Sequence, residues 1–510
     1  MMDKKLFTLR ELKELATPYP HLILQHIRQK NMNHAKCLCN EMRDSQVLLH
    51  DFFAELCTVL WSWVGENFGE ESVDEMFRYI FDQTARRQFF DAACAEAPPH
   101  LSVILLAKSW RAHSCFETGE YPGKFSIHED DEKFTFRLDP CGSGLRLWKK
   151  GFYRHPKGGK VSEKKRTWTY NRKGFPYYCI HCPFLNELLP YESPYGSIMW
   201  PVDPPKGPDD VCQWHIYKDR NDIPENYYKR LGIEKIPVKT NKYLTPGRMY
   251  FRESQLIEMA RPVTDRIIEC IDAGDLMMAK KLCKEVKDEF LVLHDLYVNM
   301  LAASFSFISD RGGEKRLNEV LDFQFDKCVK EQFCSKLDSL TLKEKVKFLA
   351  RNVFGADTCN GSGYYKAAIN ITETENEIQF RLDPCGSGGR LIKAGGYVQM
   401  SYFQKIREKI ENYSINASAH YLPLPEVLLE RLFPVFVNHF TQRKPKALGR
   451  TGKSYAWSFD RSGVPYFCCQ CAMAQAKYLN AGLSIIPPLG RKNACVWKIN
   501  KKFLGLKNPP

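Results

Sequence analysis

Cysteines at matched spacings are the residues of this 510-residue chain with the greatest capacity for chemistry. The stretch FRLDPCGSG occurs twice, at 136–144 and at 380–388. Each copy is followed by a CxxC pair, CIHC at 179–182 and CCQC at 468–471. A CxxC pair on a turn allows two thiolates to converge on one tetrahedral cation. The pattern therefore predicts a metal site in each half of the chain.

A comparison of the two halves identifies the two further ligands that a tetrahedral site needs. One lies inside the repeated stretch, and the other stands two residues before a tryptophan in both halves. The candidate sets are Cys141, Cys179, Cys182 and Cys212 in the first half, and Cys385, Cys468, Cys471 and Cys495 in the second half. The glycines of the DPCGSG segment are expected to free the backbone to fold around the ion. Zinc is the expected metal because four cysteines are a common ligand set of structural zinc, and an iron–sulfur cluster on the same four thiolates is the alternative.

Three polar residues near the first cysteine set are the candidates for catalysis. His181 lies inside the first CxxC pair, and His215 lies three residues after Cys212. Asp139 precedes the Pro-Cys dipeptide of the repeated stretch. A histidine at a metal site can act as a general base or as an alternative ligand. The second half lacks both histidines, so the competing interpretation is that both sites are structural and the histidines have drifted.

The repeat extends over most of the chain and predicts a tandem internal duplication. A shift of 244 residues superposes 35–151 on the second half, and the shift grows to 289 around the CxxC pair and settles at 283 near Cys212. The predicted modules are 1–240 and 241–510. The change of shift places an insert in the second module at 398–450.

Each module is predicted to be α+β, with a helical segment followed by a small, cysteine-rich antiparallel β part. The helical parts are 1–115 and 262–359, because segments such as VLLHDFFAELCTVLWSWV repeat apolar residues every three or four positions. The β parts are 116–220 and 360–510. There KFSIHEDDEKFTFRLDPC alternates apolar and polar residues around an acidic turn, and TWTYNRKGFPYYC is aromatic and β-prone.

The formal net charge of +14 favours acidic partners, either small anionic molecules or nucleic acid. Ten lysines and arginines fall within 149–173, against Glu163 as the single acid. Aromatic residues of the same region could stack on the bases of a nucleic-acid strand, namely Trp168, Tyr170, Tyr177 and Tyr178. A solvated basic hairpin is the competing interpretation of this segment.

The start of the chain, MMDKKLFTLRELKEL, lacks the apolar core of a signal peptide, and no apolar run in the sequence is long enough to predict a membrane span. We therefore expect a cytoplasmic protein with no membrane partner. Walker, GxSxG, HExxH and dinucleotide-binding patterns are absent from the sequence. The leading hypothesis is a duplicated metalloprotein with one four-cysteine site per half, acting as an enzyme on a small anionic substrate in a pocket beside the first-half site. The alternatives are a zinc-dependent nucleic-acid-binding protein and an iron–sulfur redox protein.

Overall fold

The computed structural model describes residues 5–90, 99–154, 158–193, 195–240, 247–355, 366–394, 448–478, 482–488 and 493–502. Their contacts divide the chain into two compact units. The first-sheet unit contains residues 61–262. The second-sheet unit contains, among the described residues, 5–60, 263–394 and 448–502. This division differs from the two predicted sequence modules, and the predicted insert lies outside the described residues up to position 447.

Helices dominate the first part of each predicted module. The α-helices of the described chain are, in order, α1 (Leu9–Leu15), α2 (Tyr19–Arg28), α3 (Met32–Phe68), α4 (Glu70–Ile80), α5 (Pro99–His113), α6 (Gly144–Lys149), α7 (His181–Pro183), α8 (Leu189–Glu192), α9 (Glu225–Arg230), α10 (Glu253–Ala260), α11 (Val263–Asp272), α12 (Leu276–Gln324), α13 (Ser335–Ser339), α14 (Leu342–Phe348), α15 (Gly388–Ala394) and α16 (Cys469–Tyr478). Segments of π-helix occupy Phe81–Phe90, Phe184–Leu188, Phe325–Cys334 and Leu349–Gly355. Gly69 ends α3 and Gly313 kinks α12, both with a positive φ that favours glycine.

Helix α3 is long and apolar enough to cross a membrane by length and composition, and its most apolar 18-residue window has a mean hydropathy of 1.3. No such stretch was expected from the sequence. However, 83% of that window is buried inside the protein. Burial of this extent is typical of a core helix, because helices that are apolar on most sides are also found in the interior of soluble proteins.

The described residues of each unit form one four-stranded antiparallel sheet. The strands are β1 (Phe125–Glu129), β2 (Lys133–Leu138), β3 (Val202–Asp203) and β4 (Cys212–Tyr217), followed by β5 (Ile369–Glu373), β6 (Glu377–Leu382), β7 (Leu483–Ile486) and β8 (Cys495–Asn500). The strand orders are β1-β2-β4-β3 and β5-β6-β8-β7. The predicted α+β class is confirmed, and the β1–β2 hairpin lies where the alternating pattern predicted it.

Strand pairing places the last cysteine of each set next to the repeated stretch. In the first sheet Cys212 lies opposite Leu138. Leu138 belongs to the repeated stretch and precedes Cys141 by three residues. In the second sheet Leu382 lies opposite Cys495 in the same way. Because directly paired residues of an antiparallel sheet share one face, each last cysteine lies on the buried face, beside the loop that carries the first cysteine.

The aromatic segment around the first CxxC pair does not form the strands that its composition suggested. Short 3-10 turns occupy Thr167–Thr169 and Tyr178–Ile180, and the β structure is limited to an isolated bridge between Val161 and Pro176. A proline has no N–H to continue a strand ladder. Tyr170 adopts a left-handed conformation (φ 52°) that also ends extended structure.

The N-terminal segment of the chain is bound to the second sheet. The backbone amides of Leu6 and Phe7 donate to the Glu373 carboxylate at 2.8 and 3.1 Å. Lys501 approaches the same carboxylate at 2.5 Å, and the Glu373 side chain is 1% exposed. Helix α1, which follows, packs against β5. A buried carboxylate therefore anchors the start of the chain to the second-sheet unit.

The first sheet binds the corresponding segment of the second predicted module. The backbone amides of Tyr250 and Phe251 donate to Glu129 at 2.7 and 3.0 Å, and Lys218 lies 3.0 Å from the same carboxylate. Helix α10 packs against β1. Each residue of this anchor lies one repeat offset away from a residue of the Glu373 anchor. The N-terminal segment of each predicted module is therefore bound to the sheet of the other module.

An apolar cluster in the second-sheet unit joins α2 and α3 to α11 and α12. Its members include pairs separated by the repeat offset of 244: Tyr19 with Val263, Ile23 with Ile267, Ile27 with Ile271, Ala35 with Ala279, Leu38 with Leu282, Cys39 with Cys283 and Met42 with Val286. Cys39 and Cys283 are fully buried in this cluster, consistent with thiols that act as small apolar side chains.

Replacing Glu373 with Gln is expected to release the N-terminal anchor. Burial opposes ionisation of Glu373, but the bonds from Lys501, Leu6 and Phe7 outweigh it and lower the pKa of this carboxyl below its usual value of 4.5. The stabilisation is therefore complete above the unfolded-state pKa and is lost as the pH falls through the lower folded-state pKa. Amide hydrogen exchange of residues 5–16, corrected for intrinsic rates, should rise on acidification from about pH 5 to about pH 3 in the wild type.

In the Glu373→Gln variant the same amides should exchange roughly tenfold faster at neutral pH, because hydrogen bonds to a charged acceptor contribute about 1.5 to 3 kcal/mol. The exposed Glu375 on the same hairpin provides the control. A Glu375→Gln variant that loosens the segment equally would refute the anchoring role of Glu373.

Candidate functional site

The four cysteines of the first candidate set line one cavity in the first-sheet unit. Cys141 follows β2, Cys179 and Cys182 lie on consecutive short helical turns, and Cys212 begins β4. The cavity has a volume of about 30 Å³. Residues that are up to 71 positions apart in the sequence are thus brought to one place, as the matched spacing predicted.

The second candidate set is arranged in the same way in the second-sheet unit. Cys385 follows β6, Cys468 and Cys471 lie around the start of α16, and Cys495 begins β8. All four line a cavity of about 200 Å³. The larger cavity therefore adjoins the second cysteine set, whereas the substrate pocket was expected beside the first.

Neither set is arranged as a formed metal site. Among the residues that the structure describes, no three or more His, Cys, Asp or Glu side chains form a group that could hold a metal ion. Zinc–sulfur bonds measure about 2.3 Å, so metal binding requires the thiols of a set to turn towards a common point. Metal binding at these cysteines stays a prediction.

The thiols of the first set are partly or fully shielded from water and lie near hydrogen-bond donors. Burial raises the pKa of Cys179, Cys182 and Cys212, and the other thiols of the set add to the rise. Burial also raises the pKa of Cys141, where backbone amides of residues 143–145 oppose the rise. In the second set the amide of Gly389 donates to the Cys385 sulfur at 2.9 Å. Amide donors aimed at sulfur favour the thiolate form that binds metals.

The second glycine of each repeated stretch makes room for a cysteine. A Cβ atom on Gly144 would lie 2.4 Å from the Cys179 sulfur, and one on Gly388 would lie 2.3 Å from the Cys468 sulfur. Neither glycine has a positive φ. The expectation that these glycines supply backbone freedom is therefore wrong for this position. Glycine is needed here because any side chain would collide with the cysteine sulfur.

His181 lines the first cavity. Its Nδ1 donates to the carbonyl of Tyr178 at 2.5 Å, and its Nε2 lies 3.6 Å from the Cys182 sulfur. Burial lowers the pKa of His181 to about 4, although the bond to Tyr178 opposes this. His181 is therefore a neutral imidazole at physiological pH, placed beside the first cysteine set as the sequence predicted.

The other two catalytic candidates do not line this cavity. His215 projects from the opposite face of β4 to Cys212 and contacts Thr135 through Nδ1 (3.1 Å) and Asp203 through Nε2 (2.9 Å). The side chain of Asp139 is 53% exposed and lies 3.6 Å from Arg137. Because side chains alternate between the two faces of a strand, residues three apart point to opposite faces, and His215 is separated from the cysteines. The sequence spacing alone did not show that both residues lie in one strand.

Three of the ten basic residues in the segment 149–173 form ion pairs within the first-sheet unit. Lys149 contacts Asp209 at 2.9 Å, Lys160 contacts Glu66 at 2.6 Å, and Arg166 contacts Glu71. The four aromatic residues that were candidates for base stacking, Trp168, Tyr170, Tyr177 and Tyr178, are all buried, at 8% exposure or less. Buried rings cannot stack on the bases of a bound strand, because that contact requires an accessible face.

A buried polar network adjoins the second cysteine set. The Asp295 carboxylate accepts two hydrogen bonds from the Arg390 guanidinium, one of them at 2.8 Å, and both side chains are 1% exposed. His294 contacts Asp295 through Nδ1 at 3.0 Å and Ser387 through Nε2 at 3.1 Å. The network connects α12 to the repeated stretch that carries Cys385. The partners Ser387 and Arg390 lie more than 90 positions after His294 and Asp295 in the sequence.

No family model matches the chain, and no curated protein or solved structure is significantly similar to it.

Proposed function

We propose that this chain is an internally duplicated metalloprotein with one four-cysteine site in each unit, and that the metal is zinc. The observation that carries the proposal is the convergence of four cysteines, from three separate places in the chain, on one cavity in each unit. Two unrelated segments would not be expected to bring four cysteines each into the same relative positions. A bound ion would connect the β2–α6 or β6–α15 loop, the CxxC turn and the last long strand of each sheet, so its role would be largely structural.

Support for the duplication comes from the paired positions of the fold. The two sheets have the same strand order, and the anchors at Glu129 and Glu373 are separated by the repeat offset. The apolar cluster of α2, α3, α11 and α12 contains seven pairs with that same offset. Agreement at positions this far apart in the chain is what a duplicated fold produces.

The size of the first cavity favours zinc over an iron–sulfur cluster. A cavity needs about 10 to 15 Å³ to hold one water molecule, so about 30 Å³ suits a single ion. A cluster of several iron and sulfide ions would require the first site to expand. All described cysteines are free thiols, which supports the cytoplasmic location that we propose, since disulfides are rare in that compartment.

The enzymatic part of the hypothesis has its support in His181. The neutral imidazole beside Cys182 could act as a base, or as a ligand that replaces a thiolate. The first cavity admits little more than an ion, so a small anionic substrate would have to reach this group from the cavity edge. The nucleic-acid alternative loses support because the aromatic side chains of the basic segment are buried.

Elemental analysis with a visible absorption spectrum on anaerobically purified protein tests the metal proposal. We expect about two zinc ions per chain in the wild type, about one in either Cys179→Ser or Cys468→Ser, and none in the double variant. Iron with sulfide and a brown colour would establish the iron–sulfur alternative. A metal-free protein with normal stability would refute the proposal.

A further inference from the structure

The cavity beside the second cysteine set is large enough for an organic ligand. Its volume is about 200 Å³, and a cavity of about 150 Å³ engineered into another protein binds benzene. Helix α3 contributes Leu49, Phe52 and Phe53 to its wall, and the segment from α14 to the following π-helix contributes Phe348, Val353 and Phe354. The thiols line one part of the cavity, whereas these apolar side chains form another.

Apart from the four cysteines of the second set, the described residues that line this cavity have uncharged side chains. Its polar side chains include the amides of Gln332, Asn352 and Gln470, which can donate and accept hydrogen bonds. An ionised ligand would lose its hydration there without a counter-charge, and burial of an unpaired ion is strongly unfavourable. The chemistry of the wall therefore selects an uncharged and mainly apolar molecule.

Three positions of the second unit carry smaller side chains than their counterparts in the first unit. At positions related by the repeat offsets, Trp110 of the first cavity corresponds to Phe354, and Tyr178 corresponds to Phe467. Ala474 lines the second cavity, where the first unit has the buried Leu185. Alanine has three fewer side-chain carbon atoms than leucine, so Ala474 leaves more space than Leu185 would. An unfilled apolar cavity costs stability, so a ligand that fills this space would stabilise the second-sheet unit.

We propose that the cavity of the second-sheet unit binds a small, uncharged, mainly apolar molecule of the size of benzene to naphthalene. This inference goes beyond the metal proposal and rests on the apolar side chains of the wall, not on the four thiols. The ligand differs from the small anionic substrate expected from the net charge, because the lining of the cavity, and not the charge of the whole chain, sets the local environment.

Calorimetric titration of the full chain with indole tests this inference. We expect saturable binding at one site in the wild type. Ala474→Leu, which introduces the side chain found in the first unit, should weaken binding at least tenfold by filling the cavity. The exposed Ala476 on the same helix provides the matched control, and Ala476→Leu should bind indole as the wild type does. The anion indole-3-carboxylate should bind at least tenfold more weakly than indole.

Three outcomes would overturn the inference: no saturable binding of indole to the wild type, equal binding by the Ala474→Leu and Ala476→Leu variants, or tighter binding of the carboxylate than of indole. The last result would restore an anionic ligand. Should Ala474→Leu fail to fold, Phe354→Trp provides a second filling variant, again with the residue of the first unit, and the same loss of affinity is expected.

Discussion

Replacing Asp295 with Asn is expected to lower the free energy of unfolding of the second-sheet unit by about 3 to 5 kcal/mol. The reason is that Arg390, at 1% exposure, would keep its charge in the interior without a carboxylate to balance it. The bidentate pair also positions the loop that carries Cys385, which lies 90 residues from Asp295 in the sequence. Urea unfolding, followed by circular dichroism and by hydrogen exchange of β6 and β8, measures the loss.

An exposed aspartate–arginine pair in the same unit gives the control for this prediction. The side chain of Asp383 is 41% exposed, and it lies 3.5 Å from both Arg381 and Lys393. Because water screens exposed ion pairs, Asp383→Asn should change the free energy of unfolding by no more than about 1 kcal/mol. Equal losses in the two variants would show that burial of the Asp295–Arg390 pair is not what makes it important.

If the second unit binds zinc as proposed, replacing Cys471 with Ser is expected to release that ion and to destabilise the sheet of the unit. Structural zinc contributes about 10 kcal/mol or more of apparent binding energy to folding, so even partial loss should exceed the effect of an ordinary core substitution. Metal content should fall by about one ion per chain. Hydrogen exchange should report faster opening of β6 and β8, while β2 and β4 of the first sheet keep their protection.

The neighbouring Cys469 separates the loss of a ligand from the loss of a buried thiol. Cys469 is fully buried, and its sulfur lies 3.6 Å from the carbonyl of Pro465. The serine hydroxyl of a Cys469→Ser variant retains that acceptor, so a cost of about 1 kcal/mol is expected, with the metal content unchanged. A Cys471→Ser variant that behaves like Cys469→Ser would argue that the four thiols are a packing cluster and hold no ion.

Local sequence patterns were sufficient for the secondary structure where one face of an element is buried. The alternation in 125–138 placed the first hairpin, and the three- and four-residue spacing of apolar side chains placed α3. The pattern was misleading around Trp168 and Tyr170, where aromatic residues indicated strands. Those side chains are buried beside 3-10 turns. A buried aromatic residue fits a turn of this kind as well as a strand, so its residue type alone does not tell the two apart.

The candidate site shows the same limit. Matched spacing in the two halves found all eight cysteines that line the two cavities, because each half repeats the same relation between them. Spacing also suggested His215 and Asp139, but strand register turns His215 to the opposite face and Asp139 lies at an exposed corner. The sequence did not indicate that α3 lines the second cavity. The α3 residues precede Cys385, the nearest cysteine of the second set, by more than 300 positions, and no spacing pattern connects them.

By itself, the sequence determined the α+β class, the hairpins and the identity of the clustered cysteines, because these depend on residue types at short or repeated spacings. Only the tertiary structure decided which sheet each N-terminal segment joins and which cysteine set has a ligand-sized cavity beside it. The carboxylates of Glu129 and Glu373 bind segments of the other module, and the cavity depends on side-chain volumes contributed by distant helices. Such contacts are set by packing in three dimensions, and no periodicity along the chain encodes them.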